Sequence, residues 1–280
     1  MITLQSLLIE ASKQLTASSD SPRLDAELLL AHCLQKERSY LYAWGDKVVD
    51  ASTQQTFKQL IKKRLTDYPV AYLLGRREFW SLDLKVSEDV LIPRPETERL
   101  VETALEKIQY CTAPNILDLG TGSGAIALSI GCERADAVIT ASDSSAQALA
   151  IAQYNAQKNT LHNVNFIQSD WFKDIPKQRF DLIVSNPPYI KSDDPHLQQG
   201  IRHEPLQALT AGKTGLDDIK TILHSALNYM KQGAWIIIEH GYDQGKAVPL
   251  LMQKAGLEHI DCLKDYNDTE RLSVGKKECA

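Results

Sequence analysis

Phe180-Asp181-Leu182-Ile183-Val184-Ser185-Asn186-Pro187-Pro188-Tyr189 reads as a strand that runs into a stiff loop. The first half is short, apolar and β-branched, the pattern of a buried strand. The second half cannot continue it. Pro187 and Pro188 have no backbone N–H and fix their own φ, and each holds the residue before it extended. The loop therefore sits at the carboxyl end of a central strand, where open α/β sheets bind ligands. It is rich in acceptors: main-chain carbonyls at Pro187 and Pro188 and the side-chain carbonyl of Asn186, with the flat face of Tyr189 beside them. Two acceptors and an aromatic plane suit a planar NH₂ group. The plainer reading is a double-proline turn that ends a strand.

A second glycine-rich element lies upstream. Asn115-Ile116-Leu117-Asp118-Leu119 is a strand, Gly120-Thr121-Gly122-Ser123-Gly124 a loop, and Ala125-Ile126-Ala127-Leu128 the start of a helix. Glycine there lets the backbone approach a ligand with no Cβ in the way. Gly120, Gly122 and Ala125 also fit the dinucleotide fingerprint, so the loop alone does not separate NAD from S-adenosylmethionine. Val138 to Asp143 is the next strand, and Asp143 stands where an acid binds adenosine ribose hydroxyls. The competing reading starts a helix at Asp143 or Ser144. Val164 to Gln168 is a third strand, followed by Trp171 near the expected adenine edge; a core aromatic is the alternative.

The remaining chain alternates in the same way. A helix is expected from about Gly215 to Met230, a strand over Ala234–Glu239, a helix from about Gln244 to Ala255, and antiparallel strands near Glu258–Leu263 and Arg271–Val274. Such alternation predicts an α/β fold, a mostly parallel sheet with helices on both faces.

Before the first glycine strand the pattern differs. Leu4, Leu7, Leu8, Ala11 and Leu15 have helical spacing. Ser21 and Pro22 predict the next helix, with Asp25 and Glu27 in its early turns and Leu24, Leu28 and Ala31 on one face, which Leu29 and Leu30 broaden. A further helix covers about Ser52–Leu65. Arg77–Trp80 and Leu82–Val86 alternate as a hairpin, Ser87–Asp89 turns, and Val90–Ile92 resumes as strand. Pro95, Glu96 and Glu98 suit the first turn of a helix running to about Tyr110. These readings divide the chain into a helical region 1–68, a hairpin linker 69–94 and a ligand-binding domain 95–280.

The 280 residues carry a formal net charge of −5, which does not suggest a nucleic-acid binder. Five scattered cysteines (Cys33, Cys111, Cys132, Cys262, Cys279) form no CxxC pair, and a reduced, cytoplasmic setting fits. No apolar run is long enough for a bilayer, and Met1-Ile2-Thr3-Leu4 lacks the basic start of a signal peptide. His203-Glu204 raises metal or acid–base chemistry, but the HExxH pattern is absent and the histidines are scattered, so no metal is expected.

Four motifs together carry a resemblance: Ile92-Pro93-Arg94-Pro95-Glu96-Thr97-Glu98, Asp118 to Gly124, Asn186-Pro187-Pro188-Tyr189-Ile190, and His203-Glu204-Pro205. Behind a short helical segment, the chain resembles the bacterial peptide-chain release factor glutamine methyltransferases over nearly its whole length. The resemblance implies a class I methyltransferase fold, Rossmann-like, with a seven-stranded sheet ending antiparallel. It implies S-adenosyl-L-methionine as cofactor and the glutamine of the Gly-Gly-Gln loop of class 1 release factors as substrate. Gly120, Thr121, Gly122, Ser123, Gly124, Asp143 and Trp171 would hold the cofactor. Asn186 would touch both cofactor and substrate, and Pro187, Pro188 and Tyr189 would complete the glutamine pocket. Asn186 and the Pro187 carbonyl would align the nitrogen. The rivals are a methyltransferase for an exocyclic base amine, an NAD-dependent oxidoreductase that leaves Asn186–Tyr189 without a role, and a non-catalytic binding protein.

Overall fold

The computed structural model describes residues 1–198 and 200–278; Cys279 lies outside them. The described residues gather into two compact units, 1–76 with 195–203, and 77–194 with 204–280.

The first unit is helical. Thr3 opens α1 (Leu4–Leu15) through a capping box with Ser6, and all five leucine and alanine positions read from the sequence are buried. In α2 (Pro22–Leu34) the core face is Ala26, Leu29 and Leu30. Of the expected face, Leu29, Leu30 and Ala31 are buried, whereas Leu24 is 39 % exposed. Ser21 does not cap this helix; its hydroxyl turns to Asp25 instead. Asp25 and Glu27 are buried because each finds a cation. Arg64 meets Asp25 at 2.8 Å, and Arg23 and Arg38 meet Glu27 at 2.6 and 2.8 Å. Those partners hold the Glu27 carboxyl below its usual range against the opposing effect of burial. Two short helices, α3 (Arg38–Ala43) and α5 (Val70–Leu74), flank α4 (Ala51–Arg64), which Asp50 caps at Thr53. The returning segment 195–203 contributes Arg202, whose guanidinium reaches Asp67 at 3.1 Å, and His203, whose ring lies 5.1 Å from that of Tyr68.

The second unit holds the sheet. It opens with the hairpin β1 (Arg76–Phe79) and β2 (Leu82–Lys85), turned at Trp80 with φ +57°. Val90–Ile92 does not resume as strand. The Glu204 carboxylate takes the Ile92 N–H at 3.1 Å and the Arg94 guanidinium, which leaves no edge for this segment to pair with. A single 3₁₀ turn at Pro95–Thr97 leads into α6 (Glu98–Lys107).

Then β3 (Asn115–Leu119), α7 (Ala125–Glu133), β4 (Val138–Asp143), α8 (Ala146–Lys158), β5 (Val164–Gln168), β6 (Phe180–Ser185), α9 (Asp217–Tyr229), β7 (Met230–Glu239), α10 (Ala247–Lys254), β8 (Glu258–Lys264) and β9 (Glu270–Lys276) follow in order. The seven strands lie β5-β4-β3-β6-β7-β9-β8, parallel except for the antiparallel β9. Alternation along β3 sends Ile116 to one core, with α6, α7 and the hairpin, and Leu117 and Leu119 to the other, with α9 and α10. The chain order reverses between β3 and β6, so their carboxyl ends frame the crevice where such sheets bind ligands.

Candidate active site

Hydrogen bonds brace that crevice from below. Ser185 Oγ donates to the Leu119 carbonyl at 2.8 Å, tying the end of β6 to the end of β3. The Gly120 and Thr121 N–H groups both reach the Ser142 carbonyl at 2.9 Å, which bends the glycine loop toward β4. Asn155 of α8 receives the Lys85 N–H at 2.7 Å and donates to the Ser123 carbonyl at 2.8 Å, so hairpin, helix and loop form one assembly.

A cavity opens above the loop. Gly120, Gly122, Asp143, Trp171, Asn186 and Pro188 all line it, as do Val90 and Leu91. Gly122 has φ +55°, and a Cβ built there meets nothing within 4 Å: it would project into open space. At Gly120 a Cβ would come within 3.6 Å of the Trp171 ring. Trp171 itself takes φ +49°, unusual for a tryptophan, in a turn held by Ser169, whose hydroxyl donates to the Trp171 carbonyl at 2.8 Å. The Trp171 indole N–H reaches Asp218 at 3.3 Å.

The other loop residues lie behind the wall. Thr121 is buried and donates to Asp118 at 2.6 Å; Ser123 is buried; Gly124 packs where a Cβ would meet Leu128 and Ala152. Pro187 is buried and Tyr189 half-buried, and neither lines the cavity. The Tyr189 carbonyl receives Gln244 at 3.1 Å, and its phenol, deeply enclosed, is pushed above its usual range by burial and by Glu239.

Asp143 accepts the Gly122 N–H and the Ser145 N–H, each at 2.9 Å. The helix that follows is capped by Ser145, one or two residues after the positions expected, so Asp143 is free of that duty. Burial pushes its carboxyl above the usual range. Burial also pushes Asp118 up to about 7, although Thr121 donates to it. With Asp89, Asp170 and Asp218, the described lining holds several carboxylates and no lysine or arginine. Such a wall favours a cation over the pyrophosphate of NAD. The Gly122 N–H, which a dinucleotide phosphate would need, is already committed to Asp143.

Asn186 also lines the cavity. Its Nδ2 donates to Thr97 Oγ1 at 3.3 Å, while its Oδ1 is buried with no donor near it. A buried acceptor left without a donor is uncommon and costs stability. Thr97 and Glu239 complete this corner. Sequence reasoning quoted Thr97 only as part of a helix start and gave Glu239 no role, because nothing local marks their meeting with Asn186. Among the described residues no three His, Cys, Asp or Glu side chains come together as a metal site.

The residues present fit S-adenosylmethionine: acidic walls for its positive charges, a carboxylate for ribose hydroxyls, an indole for a base, and glycine backbone for close approach. Known proteins agree. Residues 6–75 match the family described as the PrmC N-terminal domain, and residues 96–215 match the methyltransferase small domain. Release factor glutamine methyltransferase of Coxiella burnetii is 45 % identical over 277 residues, covering 99 % of this chain and all of that protein. The Escherichia coli K12 protein of the same name is 46 % identical over 275 residues, 97 % of this chain and 98 % of its own length. Among solved structures, a methyltransferase from Pyrococcus furiosus superposes with a TM-score of 0.54 at 16 % identity, covering 78 % of this chain and 97 % of its own. The Thermus thermophilus 16S rRNA N2 G1207 methyltransferase, solved with AdoMet and guanosine, gives 0.55 at 17 % identity, with 72 % and 50 % covered. These last two share the fold. Identity near 45 % along almost the entire length is a stronger bond, and by it the chain belongs to the release factor glutamine methyltransferase family.

Proposed function

We propose that this protein transfers a methyl group from S-adenosylmethionine to the side-chain amide nitrogen of the glutamine in the Gly-Gly-Gln loop of class 1 release factors. The observation that carries the reading is the donorless, buried Oδ1 of Asn186, a residue that lines the acid-rich cavity. An amide NH₂ supplies the missing donor. The relatives' name supplies the protein that brings it.

An amide nitrogen is a poor nucleophile, because its lone pair is spread into the carbonyl. S-adenosylmethionine supplies an electrophilic methyl on a sulfonium whose sulfur leaves as a neutral thioether. The chain's task is alignment and electrostatic support. Asp143 would hold the ribose hydroxyls, and Gly120 to Gly124 would form the floor, with Gly120 and Gly122 the two that line the cavity. Trp171 would lie beside the adenine. Asn186 Oδ1 and the Pro187 carbonyl would each take one N–H of the glutamine. Pro188 and Tyr189 would keep the amide plane rigid. Both acceptors turn negative dipoles toward a nitrogen that gains positive charge as the N–C bond forms. The alkylated amide is then a strong acid and gives its proton to water, so no side chain has to remove one beforehand.

The reading places the enzyme in the cytoplasm with translation. No helix among the described residues is long and apolar enough to cross a membrane. It also treats 1–68 as a helical domain, 69–94 as a linker and 95–280 as the catalytic domain, with no direct nucleic-acid binding. Labelled S-adenosylmethionine offered with release factors, with a Gln→Ala variant of their Gly-Gly-Gln loop, and with total RNA tests it. Label is expected on the intact factors alone. Label on RNA would replace the reading with a base-amine methyltransferase.

A further inference from the structure

A carboxamide looks almost the same when rotated by half a turn, so only its partners decide which end is oxygen. For Asn186 that choice decides function: one orientation offers the substrate an acceptor, the other a donor that repels its NH₂.

The hydroxyl of Thr97 cannot decide alone, because it both donates and accepts. Thr97 has helical backbone angles, φ −67° and ψ −18°, where the 3₁₀ turn runs into α6, so its side chain has no cap to make. Here its oxygen accepts from Asn186 Nδ2 at 3.3 Å, and Thr97 and Asn186 both favour the charged form of the Glu239 carboxylate, one oxygen of which is buried without a hydrogen-bond partner. Thr97 is 4 % exposed and Glu239 2 %, so water does not compete. Glu239 is the last residue of β7, one register step past the Ser185–Ile238 pair, which brings it beside Asn186. An ionised carboxylate only accepts. The Thr97 O–H must therefore point to Glu239, and its oxygen must then accept from Asn186 Nδ2.

We propose, on the functional reading above, that Thr97 and Glu239 are positioning residues that lock the Asn186 carboxamide with its oxygen free for the substrate amide. Neither touches the reacting atoms. Glu239 breaks the symmetry by favouring the N–H side of Asn186 directly and through Thr97, whose oxygen accepts from Asn186 Nδ2.

Three groups besides Asn186 and Thr97 act on Glu239. Arg271 on β9 favours its charge, Glu96 before α6 opposes it, and the Tyr189 phenol lies within reach of its field. Burial outweighs the helpful partners and pushes Glu239 up to about 7. Protonated, it becomes a donor and the lock is lost, so the active form is the ionised one.

The test uses the full chain, saturating S-adenosylmethionine and a release factor. Glu239→Gln is expected to lower kcat at least tenfold while cofactor affinity changes less than twofold. Thr97→Val should do the same, and Thr97→Ser should return to within threefold of wild type. Wild-type kcat should rise as pH passes through about 7, and Glu239→Gln should lack that limb. A titrating Asp118 would show instead in cofactor affinity. Glu239→Gln should also unfold no more easily than wild type at pH 8, since it removes a buried charge; a merely structural glutamate would give the opposite. Activity within threefold in either Glu239→Gln or Thr97→Val overturns the proposal, as does equal loss of cofactor binding. The side-chain NH₂ resonances of Asn186, identified by their loss in Asn186→Ala, should titrate in wild type and not in Glu239→Gln. That signal tests the lock even if the release factor proves not to be the substrate, and a flat signal in wild type refutes it.

Discussion

Replacing Asn186 by alanine separates catalysis from stability. Loss of one positioned dipole at a reacting centre costs about 3 kcal/mol of barrier, or roughly 150-fold in rate. The folded state gains and loses at once. It is relieved of a buried, donorless Oδ1, a relief of about 1–3 kcal/mol. It gives up the 3.3 Å bond to Thr97 and leaves a small void, an opposing change of about the same size. The net change in stability is about 1 kcal/mol or less, which for a chain of this length is roughly a 2–4 °C shift in Tm. Single-turnover transfer of labelled methyl to a release factor, beside calorimetric cofactor binding and thermal melts, reads all three quantities. A rate within threefold of wild type would show that Asn186 does not align the nitrogen. A collapse of Tm in step with the rate would show a scaffold residue.

Three further substitutions probe the surrounding walls. Asp143→Ala should weaken S-adenosylmethionine binding at least tenfold by titration calorimetry, because each hydrogen bond to a carboxylate contributes about 1.5–3 kcal/mol; an unchanged Kd would remove Asp143 from the site. Asp118 holds its proton to about 7, against a usual value of 3.8, so the unfolded chain ionises first and stability falls as pH rises between those values. Ligand-free Asp118→Asn should lack that decline and gain up to about 4 kcal/mol on wild type between pH 4 and 8 in urea melts, whereas a loss would contradict the burial argument. Glu204→Ala strips the Ile92 N–H and the Arg94 guanidinium of their buried partner and should cost about 3 kcal/mol, with faster proteolysis near Arg94; an unchanged urea midpoint would count against this anchor.

The parts legible in the sequence are those whose cause is local. Glycines at Gly120 and Gly122, prolines at Pro187 and Pro188, and the strand–helix alternation reveal loops and sheet because backbone chemistry acts over a few residues. Where partners come from far away, the reading misses. Leu24 is exposed although its spacing fits the core face, because the helices that pack on α2 (α1, α4 and α5) decide which side is covered. Asp25 is a buried ion pair because Arg64 arrives from a helix 39 positions on. Val90–Ile92 has strand composition but gives its amide at Ile92 to Glu204, 112 residues later. Thr97 reads as part of a helix start, and its hydrogen bond to Asn186 comes from 89 residues away.

The ring of aspartates around the cavity has one more effect. Methyl transfer turns the sulfonium of the cofactor into a neutral thioether, and carboxylates that would hold the first would have less hold on the second. On the proposed reading, these carboxylates would grip the spent molecule less than the fresh one, an electrostatic discharge at the moment the bond is made.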